Sequence, residues 1–326
     1  MAALERTGIT VAGTVIVDKI NEISAYPKSG ELTQIRSIQK AVGGCVPNVA
    51  LDLKKINPDL PVRAVGTIGV DEEGIFVTDT LRQGGVDTAG LTAVQGEKTS
   101  FTEVMSIPNG QRTFFTYAGA SAKFGSDHVH IEEPIPRLIH LGYFLLLERV
   151  DNGEGLNILK AAKAQGIETS IDLVSENSDR YALVKPCLPY TDYLIINELE
   201  AGKLTDIEPS KDNLMRISRK LKEMGVQKKV IIHMPSCAIC LSEVGYICVP
   251  SYQLPDGYIK GTTGAGDAFC AGALTGIYYG WNDQKILEFA SACAVMALGS
   301  PDATSGLRTL EDIQTYCSRF VRQKLC

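Results

Sequence analysis

No stretch of this chain approaches the roughly 18 consecutive apolar residues that a membrane-spanning helix needs. Its first residues (Met1-Ala2-Ala3-Leu4-Glu5-Arg6) carry no apolar signal core. The expected compartment is the cytoplasm, with no membrane partner. Runs of lysine or arginine are missing too, and a net charge of −6 with a pI near 5.4 argues against a nucleic-acid partner. The four histidines do not cluster: His128 and His130 alternate, while His140 and His233 lie in separate strand-like runs. Spacing therefore offers no metal-ligand set. The nine cysteines, an odd number, sit in apolar contexts such as those of Cys270 and Cys293, which suits reduced buried thiols better than a disulfide framework. Cys237 and Cys240 form a CxxC, but without a second pair or a nearby histidine for zinc. The pair also lies in a strand-turn-strand pattern, not at the strand-to-helix junction of a redox motif. Neither a fixed-period repeat nor a low-complexity tract occurs.

What is present reads as a soluble globular chain of 326 residues, 44% hydrophobic and 21% charged, able to bury one large core. A strand is expected over residues 9–17 and helices over 46–56 and 73–83, with a buried strand over 62–68 between them. Two β-like inserts, about 14–40 and 98–118, are too short to be domains. Asn109-Gly110 gives the second a hairpin turn. They are expected to form a small sheet that projects from the body as a lid. From residue 138 onward, strands (138–145, 168–172, 193–196, 229–233) alternate with helices (153–165, 211–224), and the last third is helical over 268–279, 283–298 and 310–324. That rhythm implies βαβ units and a parallel sheet with helices on both faces, whose ligands bind at the carboxyl ends of the strands.

The chemistry concentrates in Gly261-Thr262-Thr263-Gly264-Ala265-Gly266-Asp267-Ala268-Phe269. Glycines let a backbone approach a ligand closely, and the first N–H groups of a helix have no internal partner. Together they make an anion hole suited to a phosphate in transfer, with Asp267 beside it to take a proton from an attacking hydroxyl. A Gly-rich turn with an Asp N-cap is the plainer alternative. Upstream, Gly43-Gly44 precedes a helix that carries Asn48 on its first turn. Asn197-Glu198-Leu199-Glu200 follows a buried strand and puts an amide and a carboxylate three residues apart. Such a pair suits a hydrated Mg²⁺, and it suits an ordinary helix cap as well.

In this order the three motifs closely resemble those of the PfkB, ribokinase-like family of carbohydrate kinases, over nearly the whole chain. The resemblance implies a ribokinase-like three-layer αβα fold for residues 1–326, with a mostly parallel central sheet and a β lid. It implies an ATP-dependent sugar kinase with Asp267 as catalytic base and Gly264, Ala265 and Gly266 as the anion hole. Asp18, Gly43, Gly44 and Asn48 match positions that bind sugar hydroxyls, and Arg112, in a lid-like Gly110-Gln111-Arg112-Thr113-Phe114, could meet an anionic group. Asn197 and Glu200 would place Mg²⁺ through water, while Thr263, His233 and Ser236 fall on the nucleotide side.

The chain departs from the pattern in places. Gly261 stands where the family usually has an acidic residue, which in ribokinases helps hold a monovalent cation, so K⁺ use stays open. His233-Met234-Pro235-Ser236 replaces the usual glycine-rich nucleotide loop. Cys45 and Ile16 replace the Lys and Asn of ribokinases, which disfavours a strict ribokinase and leaves fructokinase-like, ketodeoxygluconate-like and nucleoside kinases equally open. A catalytically weak sugar-binding relative is a further alternative. Dimerisation through an exposed lid face is also expected.

Overall fold

The structure, a computed structural model, describes residues 6–107, 111–176 and 178–324. The Asn109-Gly110 turn lies outside the described residues. The chain lays down β1 (Ile9–Gly13), leaves for β2 (Ile16–Ile23) and β3 (Ile35–Gly43), and returns through α1 (Cys45–Ile56) to β4 (Val62–Gly69). Next come α2 (Glu72–Gln83), β5 (Asp87–Val94), β6 (Phe101–Ser106) and β7 (Arg112–Tyr117). The second half runs β8 (Leu138–Phe144), α3 (Gly155–Ala164), β9 (Glu168–Leu173), β10 (Tyr193–Asn197), α4 (Glu198–Thr205), α5 (Leu214–Glu223), β11 (Lys229–Met234), β12 (Cys237–Ser242) and β13 (Gly245–Pro250). Three helices close it: α6 (Ala265–Tyr278), α7 (Asp283–Leu298) and α8 (Leu310–Cys317).

Nine strands form the central sheet in the order β13-β12-β11-β10-β9-β8-β1-β4-β5. It is parallel except where β12 and β13 add antiparallel at one edge. Strands buried on both faces need continuous apolar runs such as Leu194-Ile195-Ile196, and helices to cover them. Residues from α1, α2, α6, α7 and α8 share one apolar core, and those from α3, α4 and α5 share the other. This is the three-layer αβα arrangement. From β1 the chain moves outward to β4 and β5, then resumes on the other side at β8. The order therefore reverses between β1 and β8, and α/β sheets bind ligands at the carboxyl ends of strands beside such a reversal.

The second sheet has the order β3-β2-β6-β7. Directly paired residues share a face, so Asp18, Thr102 and Thr116 lie on one side with Ile20, Val104, Phe114 and Arg112. The opposite side rests its base on α2, where Lys19 pairs with Glu73 at 2.9 Å, and leaves Ile38 and Phe115 exposed.

Several local expectations shift. The first strand stops at Gly13, not at residue 17. With φ at 135°, and a Cβ there only 2.6 Å from the Gly142 carbonyl, the chain turns out of the sheet toward β2. The final helix ends at Cys317, because the tail turns back and Arg322 donates to the Pro250 carbonyl at 2.7 Å. The helix expected from residue 153 is entered through a kinked turn in which Gly153 has φ 111°. β5 carries no strong apolar pattern that would announce a strand. Cys237 and Cys240 both lie within β12 but belong to the cores on opposite faces of the sheet, so they share no site.

Candidate active site

The site is built around the start of α6. Gly264 caps the helix with φ 79°, a conformation that favours glycine, and a Cβ there would lie about 2.5 Å from the Ala303 backbone. Ala268 N donates to the Gly264 carbonyl at 2.8 Å, which starts the helical ladder; Ala265 N donates to the Thr262 carbonyl at 3.3 Å, and the Gly266 and Asp267 N–H groups have no backbone partner among the described residues. Among the described residues, the one neighbour near a would-be Cβ at Gly266 is the His233 ring, 4.0 Å away, so the backbone is open to a ligand on that side.

Asp267 sits on this first turn and is 5% exposed. Asn48 Nδ2 donates to one of its oxygens at 2.9 Å, and the Tyr143 hydroxyl reaches both at 2.9 Å. Burial, and after it the charge of Asp172, push the Asp267 carboxyl up to about 7; the two donors and His140 pull the other way. Tyr143, next to last in β8, has φ 60°, and its N–H donates to Asp172 at 2.6 Å. Behind it, His140 Nε2 lies 3.3 Å from Asp172 and 3.6 Å from Cys270 Sγ, while His140 Nδ1 meets Ser170 Oγ at 3.1 Å. Ligand-type atoms of Cys45, His140 and Asp172 come within 4.8 Å of one another. The fold thus gathers a Cys/His/Asp group that no spacing in the sequence indicates, and a hydrogen-bonded floor under Asp267 accounts for the His140 and Asp172 part of it.

On the small-sheet side, Gly43 has no room for a side chain, because a Cβ there would collide with the Asp18 carboxylate. Gly44 takes φ 83° to start α1, its would-be Cβ 2.7 Å from the Thr14 carbonyl. Burial pushes the Asp18 carboxyl up to about 6. Asn48 Oδ1 and Thr14 Oγ1 are buried and without hydrogen-bond partners among the described residues. Two such orphans beside a carboxylate and two glycines suit a polyol, whose hydroxyls both donate and accept. Arg112 reaches from β7 to Thr263 Oγ1 at 3.3 Å, which joins the small sheet to the loop before α6.

The other wall is a cleft of about 180 Å³, lined by residues at the ends of β8, β9, β10 and β11 and by Gly264, Gly266 and Asp267. Asn197 and Glu200 form a reciprocal cap on α4: Asn197 Oδ1 accepts from Glu200 N at 2.9 Å, and Glu200 accepts from Asn197 N at 3.1 Å. Glu200 is buried, and its carboxyl is pushed up to about 7 by desolvation. Its partners, Asn197 and Ser175, are neutral. A buried carboxylate that faces a cleft and has only neutral partners among the described residues is chemically suited to a hydrated divalent cation. His233 lines the same cleft, its ring 4.7 Å from that of Phe269, and burial pushes it down to about 4, so it is neutral at pH 7. Ser236 lies instead in the turn between β11 and β12, outside the residues that line the cleft.

The description pfkB family carbohydrate kinase matches residues 10–310. The chain belongs to this family. Among curated relatives, a ribokinase of Arabidopsis thaliana is 25% identical over 93% of this chain and 81% of its own length. Fructokinase-1 of Oryza sativa subsp. japonica is 26% identical over 91% of this chain and 93% of its own. Arabidopsis thaliana ribokinase, solved with ribose and ATP, superposes with a TM-score of 0.80 at 22% identity, over 95% of this chain and 98% of that one. An E. coli chain solved with ATP and Mg²⁺ gives 0.79 at 21% identity, over 96% and 99%. These two likenesses show the ribokinase-like fold.

For this carbohydrate kinase, sequence reasoning missed Thr14, His140, Asp172 and the role of Tyr143 beside Asp267. Asp172 and Tyr143 did carry one signal: each lies in the last two residues of a buried apolar strand, at the carboxyl end where α/β ligands lie. Nothing local marks His140, whose partners come from other elements.

Proposed function

We propose that this carbohydrate kinase transfers the γ-phosphate of ATP to a sugar hydroxyl, with Asp267 as general base and the Gly264, Ala265 and Gly266 backbone as anion hole. The observation that carries this is a buried carboxylate, held near pH 7 by its surroundings, on the open first turn of a helix. A base poised near the working pH is effective at proton abstraction. The sugar hydroxyl loses its proton to the Asp267 carboxylate as its oxygen bonds to phosphorus; the bond from phosphorus to the β-phosphate oxygen breaks, and ADP leaves. The first-turn N–H groups stabilise the charge on the equatorial oxygens. Asp18, Asn48, Gly43 and Gly44 orient the polyol, and the small sheet, with Arg112, closes over it as a lid to exclude water. Asn197 and Glu200 are the residues that would hold Mg²⁺ through water, and the ion would offset phosphate charge.

Gly261 offers no carboxylate to a monovalent cation, and the Ser300 and Pro301 carbonyls already crowd it, at 2.9 and 3.1 Å from a would-be Cβ. Phe114, 58% exposed on the Asp18 face of the small sheet, favours a second reading, a nucleoside kinase with an aromatic wall for the base. On the other face Ile38 and Phe115, 70% and 59% exposed, support a dimer of two copies through the lid, which light scattering decides. Among the described residues no helix is long and apolar enough to cross a membrane.

A coupled ADP-release assay over pentoses, hexoses, acidic sugars and nucleosides, with and without Mg²⁺, tests the function. Turnover of a sugar supports it, and turnover of nucleosides alone selects the second reading. Tight sugar binding with no turnover of any substrate overturns both in favour of a silent sugar-binding relative.

A further inference from the structure

α1 carries a stripe of polar residues that is buried at Asn48 and Asp52 and half-buried at Lys55. Asn48, Asp52 and Lys55 stand at positions i, i+4 and i+7, which places them on one helix face. Asn48 holds Asp267. Asp52 is fully buried, and neither of its carboxylate oxygens has a hydrogen-bond partner among the described residues. The charges that act on it are those of Lys55, Asp267 and Asp302. Burial pushes the Asp52 carboxyl well above the usual carboxylate range, and the charge of Lys55, one turn away, works against that shift. Lys55 Nζ in turn donates to the Thr304 carbonyl at 2.6 Å.

That carbonyl belongs to segment 300–305, which backs the anion hole. Asp302 draws the segment into a tight turn, accepting from Thr304 N at 3.0 Å and Ser305 N at 2.7 Å. Ala303 packs directly behind Gly264, leaving no space for even a methyl group, and the Ser300 and Pro301 carbonyls press on Gly261. The segment therefore touches the loop before α6 at both of its glycines, and Lys55 ties it to α1.

We propose that Lys55 is a positioning residue of the anion hole: its ammonium, hydrogen-bonded to the Thr304 carbonyl, fixes segment 300–305 behind Gly264 and so fixes the N–H groups that face the transferring phosphoryl group. This rests on the phosphotransferase reading above. Misplacing such groups by about 1 Å lowers turnover by up to ~10²-fold without any loss of contact to substrate. Lys55 acts through the backbone, so its loss shows in kcat and not in the KM for the sugar.

The test compares wild type with Lys55→Ala, Lys55→Met and Lys55→Arg, using the acceptor found by the substrate panel. Lys55→Met keeps the alkyl stem and serves if Lys55→Ala does not fold. Expected are a kcat lower by about 10- to 10²-fold in both, a KM within about threefold, and most of the activity kept in Lys55→Arg. Added n-propylammonium, which matches the atoms removed in Lys55→Ala, should restore that variant's turnover and raise its melting temperature. Sodium chloride at equal ionic strength should not. Wild-type kcat in Lys55→Met overturns the proposal, as does a folded, impaired Lys55→Ala that neither arginine nor propylammonium restores. An inactive wild type would instead overturn the phosphotransferase reading.

Discussion

Replacing Asp267 by Asn separates the chemical role of this carboxylate from its structural one. The side chain is held by Asn48 Nδ2 and the Tyr143 hydroxyl, both donors. An amide in its place would set N–H against a donor. Asn48 Oδ1 has no partner among the described residues, so rotating the Asn48 amide presents an acceptor to the new N–H, and the tyrosine keeps the remaining oxygen. The variant should therefore fold. It should also be more stable than wild type at high pH. The Asp267 carboxyl moves from an ordinary 3.8 to about 7 on folding, so the folded chain binds this proton more tightly than the unfolded chain. Stability from this group is thus lost as pH rises from about 4 to about 7 and stays lost above. At about 1.36 kcal/mol per pH unit, the charge costs at most roughly 4 kcal/mol, which Asp267→Asn recovers. The expected outcome is a kcat lower by at least ~10²-fold, the contribution of a positioned base, with the sugar KM little changed. The melting-temperature difference in favour of the variant should widen between pH 5 and pH 8. ADP release and thermal melts at both pH values measure this. A folded variant with near wild-type turnover would refute the assignment of the base, and a melting difference independent of pH would refute the buried charge.

Tyr143→Phe removes a donor shared by both Asp267 oxygens, so the base becomes harder to ionise; the acid limb of the kcat/KM profile, expected near pH 7 in wild type, should move up by about one pH unit. An unmoved limb would show that the hydroxyl does not tune the base. Gly264→Ala forces a side chain onto φ 79° and into Ala303, and should lower stability by about 1–3 kcal/mol in denaturant melts together with turnover. Wild-type stability in that variant would mean that segment 300–305 yields freely.

How much was legible beforehand follows from how local each feature is. The helix start at Gly264 and the strand-helix alternation after residue 138 are properties of short windows, and composition and period reveal them. The pair Asn197 and Glu200 marks the limit: a spacing of three fits a cation pair and a cap equally, and the structure displays the reciprocal cap. Strand β5, half exposed along its length, has no clean alternation to read. Likewise, the Cys237/Cys240 motif dissolves once pleating sends its two thiols to opposite faces.

The sequence by itself determined the family motifs, their order, and an open, glycine-bounded helix start with a carboxylate on it, because those depend on backbone freedom within a few residues. Only the tertiary structure decided what surrounds that carboxylate. Asn48 and Tyr143 reach Asp267 from 219 and 124 residues away, and Lys55 reaches the backing segment across 249. Desolvation and the field of Asp172 exist only once those elements pack, and they bring an ordinary aspartate to about pH 7. No periodicity along the chain encodes such meetings, since they are fixed by how helices and strands stack at the carboxyl ends of the central strands.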